Sequence, residues 1–287
     1  MKIVAVVPTY NRKDALMKNL DCLLKQSRSV DKIIVVDNAS TPETKSLMAS
    51  AGHLTNPKIN YVQLSKNVGS AGGFKTGMEV AIRENADWIW GMDDDAFPRF
   101  NALEELLTAN VSATYDCLWS NADEDISFDG PIKNVNHLMF VGFFVSKKLV
   151  ETIGYPDTEF FLYHDDTEYS NRIIKNGYTI VKVRDSIIDH MSYDQRYKQP
   201  KMYKFPFGSF SVMFCEEYRL YYIYRNTFYV RPTGVSQLKY LIINTFINYP
   251  LYLINRPGKS FVILLATYHC IIGRRGAVTL PPSYYIK

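Results

Sequence analysis

Apolar residues in the first hundred positions come in short runs that end abruptly on polar ones. Residues 3–7, 32–36, 59–64 and 87–92 are such runs, too short for buried helices and bounded by turn formers, so each reads as a buried strand. Between them, residues 13–25 and 73–85 carry helical spacing. Alternation of this kind predicts an α/β fold with a mostly parallel central sheet flanked by helices. Ligands of such sheets bind beyond the carboxyl ends of the strands. The polar residues that follow the runs, Thr9, Asp37, Asn67 and Asp93, are expected on that one edge.

Further along the pattern loosens. A strand is expected over 138–145, a helix over 166–176 closed by Gly177, and a strand over 179–183. From about Val212 the chain turns helical and aromatic (CEEYRLYYIYRNTFYV), followed by apolar stretches at 240–254 and 260–273. Asn244, Asn248 and Pro250 interrupt the first, and the second is about 14 residues, short of the roughly 18–20 that cross a bilayer.

Charge divides the chain more sharply than hydropathy does. Residues 196–287 hold 13 Lys+Arg against two acids, a balance of +11, while residues 1–195 carry −7. We therefore expect a domain at 1–195 and a basic, helical, aromatic-rich extension at 196–287 that meets an anionic partner, another subunit or the acceptor. The four cysteines are scattered without metal-ligand spacing, and the chain starts directly on a strand-like run. Both features suit reduced thiols and a cytoplasmic location.

The segment WIWGMDDDAFP places Asp93, Asp94 and Asp95 at a strand end. Adjacent like charges need a counter-charge, and Mn²⁺ or Mg²⁺, which favour carboxylate and diphosphate oxygens, would supply it. Because extended residues i and i+2 share a side, Asp93 and Asp95 are expected to face one site and Asp94 another. An isolated acidic triplet reads equally as a solvated helix cap; its place at the sheet's carboxyl edge favours the metal. In NVGSAGGFKTG, from Asn67 to beyond Lys75, glycines before a helix suit close approach to an anion. Neither a dinucleotide-binding nor a P-loop pattern is present there, which argues against a dehydrogenase or an NTPase. In FFLYHDDTEY, Asp165, Asp166, Glu168 and Tyr169 open a helix, either as simple caps or with Asp166 as a general base behind an aromatic pocket. His190, ending IIDH, follows a probable strand and is a candidate metal ligand, whereas His53, His137, His164 and His269 lack that setting, save that His164 adjoins Asp165.

Together, VVPTYNR, IIVVDNAS, NVGSAGGFKTG, WIWGMDDDAFP, HDDTEYSNRIIKNGY and the DH pair resemble glycosyltransferase family 2, with its GT-A fold, over about residues 1–195. The similarity is strongest to bacterial galactofuranosyltransferase-like members, and the later YYIYRN and GRRG pieces resemble that branch too. The resemblance implies that Pro8, Thr9, Asn11 and Arg12 border a nucleotide-sugar donor, that Asp37 reads its base, and that Asn67, Lys75, Asp93 and Asp94 flank it. It implies Asp93, Asp95 and His190 as ligands of Mn²⁺ or Mg²⁺, Asp166 as the base, and Asp165, Glu168 and Tyr169 at the acceptor. The reaction implied is an inverting transfer of galactofuranose from UDP-galactofuranose to a hydroxyl of a lipid-linked saccharide, serving a cell-surface polysaccharide such as capsule or O-antigen. dTDP-rhamnose is the alternative donor, and a non-catalytic carbohydrate- or lipid-binding module of the same fold the alternative function. The basic aromatic tail suits peripheral association with the inner face of an anionic membrane, or contact within a homo-oligomer. It carries no nucleic-acid recognition motif.

Overall fold

Strand β1 (Ile3–Thr9) is buried at every position and forms the centre of a computed structural model that describes residues 1–112, 114–122, 127–190, 198–206 and 208–278. Its neighbours β2 (Lys32–Asp37), β3 (Ile59–Gln63) and β4 (Trp88–Gly91) lie parallel to it in the order β3-β2-β1-β4. Continuous β-branched runs such as IVAVVPT and KIIVVD suit strands covered on both faces. The crossovers are helices α1 (Lys13–Leu24), α2 (Pro42–Ser50) and α3 (Gly69–Arg83).

Past β4 come β5 (Ala96–Pro98), α4 (Ala102–Ala109), β6 (Cys117–Asn121), β7 (Ile132–Val135), β8 (Phe143–Ser146), α5 (Lys147–Ile153), α6 (Asp165–Lys175) and β9 (Ile180–His190). Here the sheet becomes mixed: β8 is antiparallel to both β4 and β6, and β9 is parallel to β6 but antiparallel to β5 and β7. The expectation of a mostly parallel sheet therefore holds for its first half. Strand β8 starts later than the sequence pattern suggests, because Gly142 adopts φ 81° just before it.

The glycines of NVGSAGGFKTG have a different use from the expected ligand loop. Gly72, Gly73 and Gly77 lie inside α3, which begins four residues earlier than expected. A β-carbon on Gly77 would come within 2.3 Å of Val6, and one on Gly73 within 2.8 Å of both Pro8 and Asn38. They let the helix lie close against β1 and β2.

Two compact units divide the chain: Met1–Thr158 with Asp166–Met191, and Glu159–Asp165 with Ser192–Lys287. The boundary expected near residue 195 falls outside the described residues. The second unit opens with a hairpin, β10 (Lys198–Phe205) and β11 (Gly208–Phe214), in a region expected to be helical. Helices α7 (Glu217–Tyr229), α8 (Val235–Ile243), α9 (Tyr249–Asn255) and α10 (Pro257–Ile271) follow, with a π-helical turn at Asn244–Asn248 between α8 and α9. That turn precedes Pro250, whose missing N–H breaks the regular helical ladder. Leu220, Tyr221, Tyr252, Val262, Ile263 and Ala266 form this unit's core. Among the described residues no helix is long and apolar enough to cross a membrane.

Candidate active site

The three aspartates and His190 are far apart in sequence and are joined by strand register. In the β5–β9 ladder Ala96 pairs with His190 and Phe97 with Asp189, so Asp95 adjoins His190. Side chains alternate along β9: Asp189 turns to Arg99 at 2.8 Å, and His190 turns to Asp95, Nε2 to Oδ1 at 3.3 Å. One ligand atom each from Asp93, Asp95 and His190 lies within 4.8 Å of the others. Two residues before Asp93, Gly91 makes room for the Phe143 ring of the paired strand, since a β-carbon there would sit 2.1 Å from it.

Asp94 takes the other side. It is only 4% exposed and accepts from Thr9 Oγ1 at 2.7 Å and from Arg12 Nη1 at 3.2 Å. Burial pushes its pKa up to about 7, against the lowering effects of Arg12 and of the Thr9 hydroxyl. The same Arg12 nitrogen reaches Asp95 Oδ2 at 2.7 Å. Arg12 thus supplies counter-charge to two of the three carboxylates, and it lines a cleft of about 460 Å³ with Asn11, Lys13, Thr41 and Glu43. Asn11 adopts φ 55° and ties the loop down, its side-chain oxygen accepting from the Thr41 N–H at 2.8 Å.

Other expected donor residues are occupied by the protein. Pro8 is buried against Gly73. Asp37 is buried, its Oδ1 accepting from the Ser40 N–H at 2.8 Å and its Oδ2 from the Tyr61 hydroxyl. Burial first, then the Asp37 carboxylate, drives the Tyr61 phenol well above the usual range. Asn67 Oδ1 accepts from the Gly69 N–H at 2.8 Å at the start of α3, and Lys75 lies 3.9 Å from Glu79 on that helix.

At α6, Asp165 is buried and Asp166 half-buried. Asp166 Oδ1 accepts from the Thr167 N–H at 2.6 Å, and Oδ2 lies 3.9 Å from His137 Nε2. Glu168 forms a two-pronged pair with Arg172 at 2.9 and 2.7 Å, which in turn donates to the carbonyls of Ile153 and Tyr155. Tyr169 is wholly buried, its ring 5.8 Å from Phe140 and its hydroxyl on the Gly154 carbonyl. It seats α6 in the core. His164 Nε2 lies 3.0 Å from the Thr227 hydroxyl.

Sequence reasoning passed over three residues here. Asn38 follows Asp37 and braces the glycine segment through Gly69 and Val68, a role its position after a buried strand signals. Tyr61 and His137 carry no local signal, because each meets its carboxylate only through the fold.

Residues 4–168 match the family described as Glycosyl transferase family 2. Galactofuranosyltransferase GlfT1 of Mycolicibacterium smegmatis is 28% identical over 203 residues, 61% of this chain and 66% of that protein, so the match spans just under two thirds of the relative's length. dTDP-rhamnosyl transferase RfbF of Shigella flexneri is 24% identical over 227 residues, 68% of this chain and 71% of the relative. Among solved structures, the mannosyltransferase PcManGT from Pyrobaculum calidifontis, in complex with GDP-Man and Mn²⁺, aligns with a TM-score of 0.58 at 16% identity, covering 98% of this chain and 77% of that one. The fold is accordingly of the GT-A type. A match that spans more than half of the residues, on a fold shared with a sugar transferase, gives the relationship its name: the chain belongs to glycosyl transferase family 2.

Proposed function

We propose that the protein transfers galactofuranose from UDP-galactofuranose to a hydroxyl of a lipid-linked glycan, with inversion at the anomeric carbon, in cell-surface polysaccharide synthesis. The convergence of Asp93, Asp95 and His190 carries this reading. Two carboxylates and an imidazole make a donor set suited to Mn²⁺ or Mg²⁺, and the guanidinium of Arg12 already stands as a cation on one of those carboxylates, Asp95. When bound there, the ion would stabilise the charge of the departing nucleoside diphosphate.

The chain's own residues do the rest. Arg12, whose side chain is 36% exposed, turns from Asp94 and Asp95 to the donor phosphates. Asn11, Asn67 and Lys75 flank the donor, and Asp37 meets the base beside Tyr61. Asp166 takes the proton of the acceptor hydroxyl as its oxygen bonds to the anomeric carbon and the bond to the diphosphate breaks; that single displacement inverts the centre. Asp165 and Glu168 fix the start of α6. Galactofuranose is chosen on the similarity to GlfT1, and rhamnose from dTDP-rhamnose is the runner-up on the similarity to RfbF.

The acceptor's lipid places the enzyme at a membrane. Val235, Leu238, Ile242 and Phe246 recur at helical spacing along α8 and the turn after it, all exposed, with Lys239 exposed among them. Apolar side chains beside cations suit an anionic bilayer surface, whereas self-association through this stripe would leave the cations without partners.

Donor binding and turnover by the purified chain decide the matter, with UDP-galactofuranose, UDP-galactopyranose and dTDP-rhamnose in Mn²⁺ and then in EDTA. Metal-dependent turnover of the first, abolished by Asp95→Ala, is expected. Turnover of dTDP-rhamnose alone would replace the sugar, and no binding of any donor would leave a non-catalytic module.

A further inference from the structure

Residues 159–164, immediately before the aspartate pair, follow a costly path. Three of the six described non-glycine residues with positive φ lie here: Phe161 at 62°, Tyr163 at 64° and His164 at 62°. Side chains with a β-carbon avoid that region, so something must hold them in it.

What holds them is one neighbouring pair on α7. Asn226 Nδ2 lies 2.8, 2.8 and 2.9 Å from the carbonyl oxygens of Phe160, Leu162 and Tyr163. Arg225 Nη2 donates to the carbonyls of Glu159 and Phe160, both at 3.1 Å, and Nη1 to that of Gly276 at 2.5 Å. Its Nε donates to Asn226 Oδ1 at 2.9 Å, which fixes the amide so that its nitrogen faces the segment. Both side chains are buried, and the guanidinium lies 4.9 Å from the centre of the Tyr222 ring. Thr227 adds a further tie: its hydroxyl donates to Ile223, so the 3.0 Å contact takes its proton from His164 Nε2. Finally, the Gly276 N–H donates back to the Glu159 carbonyl at 2.8 Å.

YYIYRN and GRRG, the two C-terminal pieces without a place in the chemistry so far, thus meet on the carbonyls of one strained segment. A buried guanidinium devoted largely to backbone carbonyls is expensive, and the carbonyls held by the pair run from Glu159 to Tyr163, the last of them held by Asn226 three residues before Asp166. We propose that Arg225 and Asn226 are positioning residues for sugar transfer: they lock residues 159–164 into the path that delivers Asp165 and Asp166 to the start of α6 before an acceptor arrives. This inference rests on the reading of Asp166 as the base.

Asn226→Ala in the full chain tests it, with amide hydrogen exchange over 160–167, UDP affinity, and transfer kinetics with the preferred donor. Exchange in that segment should quicken and UDP affinity stay within about twofold, while kcat falls about 10²-fold, the cost of a small misplacement of a reacting group. Thr227→Val, which keeps volume and loses the His164 tie together with the hydroxyl's bond to the Ile223 carbonyl of its own helix, should show the same split at roughly two- to tenfold, and it carries the test if the alanine variant does not fold. An unchanged kcat despite faster exchange, or UDP affinity and kcat falling together, overturns the inference alone. A wild-type chain that transfers no sugar overturns the base reading and the inference with it.

Discussion

The first unit hides its apolar side chains and gathers acids at a sheet edge; the second keeps apolar side chains on its surface and is basic. Of the seventeen large apolar residues exposed among those described, twelve belong to the second unit, from Met202 to Ile272. In the first, β1 and nearly all of β2 are covered on both faces. Apolar exposure on this scale usually marks a surface that meets something else. The difference separates two tasks: one unit builds a polar site on a rigid sheet, and the other holds a strained segment from within and, on the function proposed above, would offer a surface to a partner.

Breaking the first task should have the largest effect. Asp166→Asn keeps the shape and removes the base, so transfer should fall by up to about 10⁴-fold with UDP affinity retained. A loss under tenfold in steady-state transfer would place the base elsewhere. Asp95→Ala removes a carboxylate shared by the metal group and Arg12. We expect about 10³-fold slower transfer, as several kcal/mol of charge stabilisation are lost, together with weaker Mn²⁺ binding by calorimetry. Undiminished Mn²⁺ affinity would remove Asp95 from the metal set. Neither variant should alter vesicle binding, if the two tasks are separate.

The two units also differ in how far the sequence discloses them. Strands β1 to β4 are legible because a strand covered on both faces needs an unbroken apolar run, and the residue after it must turn polar. Asp93 and Asp95 are legible as acids just past a buried strand. A turn between β4 and β5, closed by the Ala96 N–H on the Asp93 carbonyl, and not an extended segment, sets their side chains apart from that of Asp94. Their meeting with His190 depends on pairing Ala96 with His190, a register between distant segments that no local pattern carries. The same holds for Tyr61 on Asp37 and for His137 near Asp166. The glycines of NVGSAGGFKTG mislead for a related reason: a small residue looks alike whether it admits a ligand or a neighbouring strand. In the second unit, Pro200 and Pro206 disguise the β10–β11 hairpin, since proline normally argues against a strand. The pair Arg225 and Asn226 reads only as polar residues within an aromatic helix.

The surface task predicts a smaller effect. Ile242→Ser with Phe246→Ser removes two side chains that are 50% and 73% exposed, and should weaken binding to vesicles containing anionic lipid by about tenfold. Transfer to a soluble acceptor analogue should not change. Equal loss of binding to neutral and anionic vesicles would discard the part assigned to Lys239, and unchanged binding to both would move the contact off α8.

The smallest effect concerns stability within the second unit. Burial first, then Arg274 and Arg225, holds the His269 pKa below its ordinary 6.5. Its Nδ1 lies 2.6 Å from the Tyr221 hydroxyl, an arrangement that suits a neutral ring accepting that proton. The folded chain thus prefers neutral His269, whereas the unfolded chain takes up a proton at the ordinary value. The stabilisation is complete above pH 6.5 and is lost as pH falls through the lower folded value. Opening free energies from hydrogen exchange at α10 amides should decline below pH 6.5, and His269→Gln should flatten that decline. If the decline persists in His269→Gln, another group in the second unit is taking up the proton, and the link between this buried ring and the helix that carries it is broken.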